Sequence, residues 1–177
     1  MTTRILPKTQ TTKSALNSLS ALLVSVCEQI TRVAPSSFDP PIERWISELF
    51  IDCEFSKGIS IAATFSRIEQ YMAPESTIYT VALIYLDRMI RKMPSLLSVQ
   101  SLRRMITLAL LLAFKFYTGK VGISLSNYSD ITMIPIRDLE EAEMFVAANL
   151  LDWKFTVFED YFDKYQQKLN CKRIKDH

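Results

Sequence analysis

Seven consecutive residues, Leu108 to Phe114, carry no polar side chain, and they lie inside the run Ser98 to Gly119 (SVQSLRRMITLALLLAFKFYTG). A helix built from such a run is apolar on every side rather than along one stripe, so other elements must surround it. It is too short for a bilayer span, which needs roughly 20 apolar residues. Arg103 and Arg104 interrupt it at one end and Lys115 at the other. The run therefore specifies the central post of a helical domain. Lys115 stands apart, because it follows the apolar run and precedes Phe116, Tyr117 and the helix-stopping Gly119.

Composition points the same way. Only 3 glycines among 177 residues leave few positions for positive φ, which sandwiches, barrels and phosphate-cradling loops need. Hydrophobic residues, at 49%, supply the core of one domain. A net charge of +2 gives no strongly basic face for nucleic acid. Cys27, Cys53 and Cys171 are odd in number and far apart, a pattern of reduced intracellular thiols rather than of a disulfide framework, with no zinc spacing. The sole histidine is His177, and no nucleophile–base pair stands out. We therefore expect no enzyme activity, metal, cofactor, small-molecule substrate or membrane partner, and an intracellular location in cytoplasm or nucleus.

Read in order, residues 1–13 mix Thr, Lys, Gln and Pro without apolar period, the pattern of a disordered tail. Leucines three or four apart then predict a helix over Ser14 to Val33, broken by the Pro-rich stretch Ala34 to Pro41. A second helix is expected from about Pro41 to Glu54, with Ile42, Trp45, Ile46, Leu49 and Phe50 facing inward. Further helices are expected over Ile59–Met72, over Ser76–Lys92, over the central run with Ser98 as N-cap, and over Leu125–Ile131. Another runs from Pro135 to about Leu151, with Asp138, Glu140, Glu141 and Glu143 near its positive end, and a last one spans Val157–Leu169. The basic residues Lys172, Arg173 and Lys175 finish the chain.

Three stretches resemble the landmarks of a cyclin box: Tyr85-Leu86-Asp87-Arg88, Leu112-Ala113-Phe114-Lys115-Phe116 and Leu151-Asp152-Trp153-Lys154-Phe155. In addition, Ile59-Ser60-Ile61 followed by Phe65, Arg67-Ile68 and Tyr71 is similar to the opening of the phosphate-response (P/U-type) cyclins. The resemblance implies an all-α fold: a single five-helix box around the buried central helix, preceded by one or two extra N-terminal helices. It divides the chain into a tail (1–13), leading helices (14–56), the box (57–170) and a basic C-terminal tail (171–177). Asp87 and Arg88 are expected to tie helices together near the box centre.

The resemblance further implies a regulatory subunit that binds and activates a cyclin-dependent protein kinase by packing on its C-helix and activation segment. Family polar anchors fall on Lys115 and on a glutamate of the fifth helix. Counting from Asp138-Leu139 places that glutamate at Glu143, whereas counting back from Trp153 reaches Met144. Glu143 is taken, which requires a one-residue irregularity in that helix. Apolar contacts fall on Leu112, Phe116, Trp153 and Phe155. Two departures stand out: Thr132-Met133 replaces the Gly-Gly usual in this subtype, and the substrate-docking Met-Arg-Ala-Ile-Leu sequence of mitotic cyclins is absent. The competing reading is an adaptor like transcription factor IIB, which shares the box fold and binds protein or DNA. It fits one box of near-neutral charge less well, and the expected partner is the kinase catalytic subunit rather than nucleic acid.

Overall fold

The computed structural model describes residues 29, 32–34, 43–51, 59–118 and 124–175, with side chains through residue 169. Regular structure among them is entirely helical: α1 (Arg44–Phe50), α2 (Ile61–Met72), α3 (Ser76–Lys92), α4 (Leu102–Tyr117), α5 (Leu125–Thr132), α6 (Ile136–Phe145) and α7 (Glu159–Lys175). A short 3-10 turn, Pro94–Leu96, precedes α4, and a π turn, Val146–Leu150, continues α6. The domain is the expected all-α bundle of five helices, α2 to α6, on a buried central helix, with α1 ahead of it. The expected tail over 1–13 lies outside the described residues, as does most of the helix expected over Ser14–Val33.

The central helix is α4. Every residue from Leu102 to Phe114 is buried, including both arginines. Burying a guanidinium is costly unless its donors are paired, and here the pairs link four elements to the post. Arg104 donates to the Leu49 carbonyl of α1 (2.8 Å) and to Asp138 of α6 (3.0 Å). Arg103 donates to the Thr132 carbonyl that ends α5 (3.1 Å) and to the Thr64 hydroxyl of α2 (3.4 Å). Tyr128, fully buried on α5, donates to the Thr107 carbonyl (2.7 Å). The widest helix contact is α3 against α4, both apolar on more than one face.

Helix starts are set by local chemistry. Ser60 caps α2 by accepting from the Ala63 amide (3.0 Å), which gives the Ile59-Ser60 pair a structural purpose. Ser98 and Ser101 make a reciprocal pair ahead of α4, each hydroxyl accepting from the other's amide (3.1 and 3.0 Å). Ser98 thus caps the turn leading into α4, and the regular helix begins one turn later than expected. Other expectations also shift. The regular part of α1 is shorter than predicted, and Trp45, expected inside, is 51% exposed. On α2, Phe65 and Ile68 are buried, while Ala62, Ala63 and Tyr71 face solvent. Finally, α7 runs to Lys175, taking the expected basic tail into a helix.

Candidate docking surface

The candidate surface lies where α4 ends, beside α6 and the segment that leaves the π turn. Lys115, in the last turn of α4, follows directly on the buried run. Its ammonium reaches both carboxylate oxygens of Glu143 at 2.6 Å. The two side chains are 32% and 19% exposed, so the pair sits at the protein's edge, neither sealed nor fully solvated. Met144, the other candidate from counting, is 60% exposed.

The π turn explains why the two counts disagree. The Leu151 amide bonds to the Val146 carbonyl (2.9 Å), five residues back. Such a turn holds one residue more than an α-helical turn. Residues before it keep the register counted from Asp138, and residues after it are displaced by one. The irregularity anticipated from the motif spacing therefore has a definite location, Val146–Leu150.

Beside the ion pair stand three aromatic rings. Phe116, 51% exposed, stacks on Phe155 with ring centroids 3.8 Å apart and planes 13° from parallel. Trp153, 59% exposed, meets Phe155 edge-on at 6.2 Å. Phe155 is half-buried between them and also touches the ring of Tyr85 (6.2 Å, 66°). Leu112 differs from expectation: at 1% exposure it belongs to the core and supports the surface from beneath, because it lies one turn before Lys115, inside the stretch of α4 that neighbouring elements cover on every side.

The segment carrying Trp153 and Phe155 is held in an unusual backbone. Asp152 and Trp153 both lie in the left-handed region, with φ of 49° and 58°, a conformation costing non-glycine residues on the order of 1–3 kcal/mol each. The Trp153 amide bonds back to the Ala147 carbonyl (2.8 Å). Lys92 grips the Asp152 carboxylate at 3.0 and 3.1 Å, and this bond holds the carboxyl below its ordinary pKa, with Lys154 adding to the effect. Arg88 donates to the Lys154 carbonyl (2.9 Å) and the Thr156 carbonyl (3.4 Å). Tyr85 and Tyr117 both donate to the Phe155 carbonyl. Arg88 thus ties α3 to the exit segment rather than to another helix, and Asp87 pairs within α3, with Arg91 at 3.0 Å.

Tyr85 opens one of the sequence landmarks and Tyr117 follows Phe116, yet the pattern assigns neither hydroxyl a role. A hydroxyl beside an apolar landmark gives no sign of the carbonyl it will meet. Among the described residues no group of His, Cys, Asp and Glu is placed to hold a metal ion, and no helix is long and apolar enough to cross a membrane.

A family model described as Cyclin matches residues 6–155, most of the chain. The chain belongs to the cyclin family. Its match spans the candidate lysine, the candidate glutamate and all three surface aromatics. The family is regulatory and non-catalytic. For this cyclin, comparison with curated proteins yields no match.

Proposed function

We propose that this cyclin binds and activates a cyclin-dependent protein kinase, packing its Phe116–Phe155–Trp153 surface on the kinase's C-helix and activation segment. The observation that carries the reading is a contiguous group of Phe116, Phe155 and Trp153, the first two stacked and the third edge-on, beside a Lys115–Glu143 pair at the end of a buried helix. Interfaces of this kind pair an apolar aromatic centre with a few fixed polar anchors. Phosphoryl transfer by such kinases needs a lysine–glutamate pair whose glutamate rides on the mobile C-helix. A rigid partner that binds one position of that helix more tightly shifts the equilibrium toward it. A protein without catalytic groups can therefore raise another enzyme's rate. On docking, Lys115 and Glu143 exchange part of their mutual bond for backbone groups of the kinase.

We assign the box to 57–170, the leading helices to 14–56, the basic end to 171–177, and the chain to the P/U-type subgroup. The Ile59–Tyr71 run supports the subgroup, through Ser60 as cap of α2 and through Arg67, which donates to the Ile131 and Asp130 carbonyls at 2.7 and 2.8 Å. A kinase partner goes with an intracellular location. The test is affinity capture from native extract with peptide identification, followed by measurement of Lys115→Ala against the captured kinase. Loss of a buried charged anchor costs about 2–5 kcal/mol of binding. Recovery of no cyclin-dependent kinase, or unchanged affinity of the variant, contradicts the reading. A DNA affinity with a steep salt slope would instead favour the factor IIB-like alternative.

A further inference from the structure

Between the π turn and α7 the chain has no helix or sheet to satisfy its main chain, yet four successive residues there have a backbone group held by side chains of α3 and α4. Arg88 spans the Lys154 and Thr156 carbonyls. The Phe155 carbonyl, which has two lone pairs, accepts from both tyrosines, Tyr117 at 3.0 Å. The Tyr117 hydroxyl in turn accepts from the Val157 amide at 2.7 Å. One phenol oxygen therefore bridges an acceptor and a donor on either side of Thr156.

We infer that the Tyr85 and Tyr117 hydroxyls are positioning groups for partner docking: they fix the exit segment so that Phe155 and Trp153 are presented as one pre-formed surface. The inference rests on the docking function proposed above. Three observations converge on it. Trp153 enters the segment at φ 58°, a conformation that persists only where the surrounding structure over-determines it. The Phe155 ring, whose carbonyl the phenols hold, is the one both other aromatics touch. Burial also raises the pKa of both phenols, so each keeps its proton and donates throughout the neutral range. A surface fixed before the encounter loses less conformational freedom on binding.

The chain has 2 tryptophans, so Trp45→Phe leaves Trp153 as the sole indole. In that background, with fluorotryptophan incorporated, fluorine NMR reads the indole directly, and a panel of cyclin-dependent kinase catalytic subunits reads docking. Tyr117→Phe and the double variant with Tyr85→Phe keep the rings and remove only hydroxyls. The expected result is one sharp resonance in the parent, and a broadened or split resonance in the variants. Kinase affinity falls about tenfold for a lost hydrogen bond, and the fall vanishes in a Phe155→Ala background because the positioned ring is gone. An unchanged resonance overturns the inference without reference to any kinase. So does a changed resonance with unchanged affinity, or an affinity loss that persists in Phe155→Ala. A parent chain that binds no member of the panel contradicts the docking function itself, and the spectrum still decides whether the hydroxyls hold the indole.

Discussion

Met133 ends α5 with φ at 60°, a position at which glycine carries no side-chain penalty. Met133→Gly is expected to raise stability by about 1 kcal/mol, read as a higher denaturation midpoint, despite losing the thioether contact to Arg67 at 3.6 Å. Asp152 gives a prediction in pH. Lys92 lowers its folded-state pKa below the ordinary 3.8. The contribution to stability is therefore present above the unfolded value and is lost as pH falls through the folded one. A carboxyl titration should place the Asp152 midpoint below 3.8 in the parent and back near it in Lys92→Met, with the difference shrinking in high salt. At this scale the sequence identifies residue types better than their facing. Leu112 and Phe116 are both apolar neighbours of Lys115, yet one is 1% exposed and the other 51%. Where every position in a run is apolar, periodicity carries no information on which side meets solvent, until the helix end frees the last turn.

The elements themselves were largely legible. The residues of α3 match expectation end to end, and α5 differs by one residue at its end, because Pro74 and Pro94 bracket the long apolar pattern of the first and Ser124 caps the second. The π turn was legible only as a misfit between two motif counts, and its location needed the hydrogen-bond ladder. Deleting Ala148 should restore an ordinary α-helical register, swinging Trp153 and Phe155 by about 100° relative to Glu143. Helix content by circular dichroism is expected to persist while kinase binding is lost, and binding at the parent level would contradict the role given to the turn. The buried arginines of α4 were visible as interruptions of an apolar run, but not as ties. Arg104→Ala leaves the Leu49 carbonyl without its bond and Asp138 without its ion pair, and is expected to cost about 3 kcal/mol in denaturant unfolding. A cost below about 0.5 kcal/mol, within the range of ordinary surface changes, would show that the guanidinium merely fills space.

At the scale of the molecule, a helix buried along thirteen residues from Leu102 to Phe114 ends in the lysine and phenylalanine of the candidate surface, and the exit segment beside them is pinned to α3 and α4. The proposed docking calls for such bracing, since a face that resists deformation can bias a partner's mobile helix. The most direct test of that picture is peptide phosphorylation by a purified cyclin-dependent kinase catalytic subunit, selected by capture, as this cyclin is titrated in. Turnover is expected to rise saturably with the parent chain, and to stay at the kinase-alone level with Phe116→Asp at the same concentrations, although that variant remains folded by circular dichroism. Equal activation by the parent and Phe116→Asp, or no activation by the parent at saturation, would contradict it.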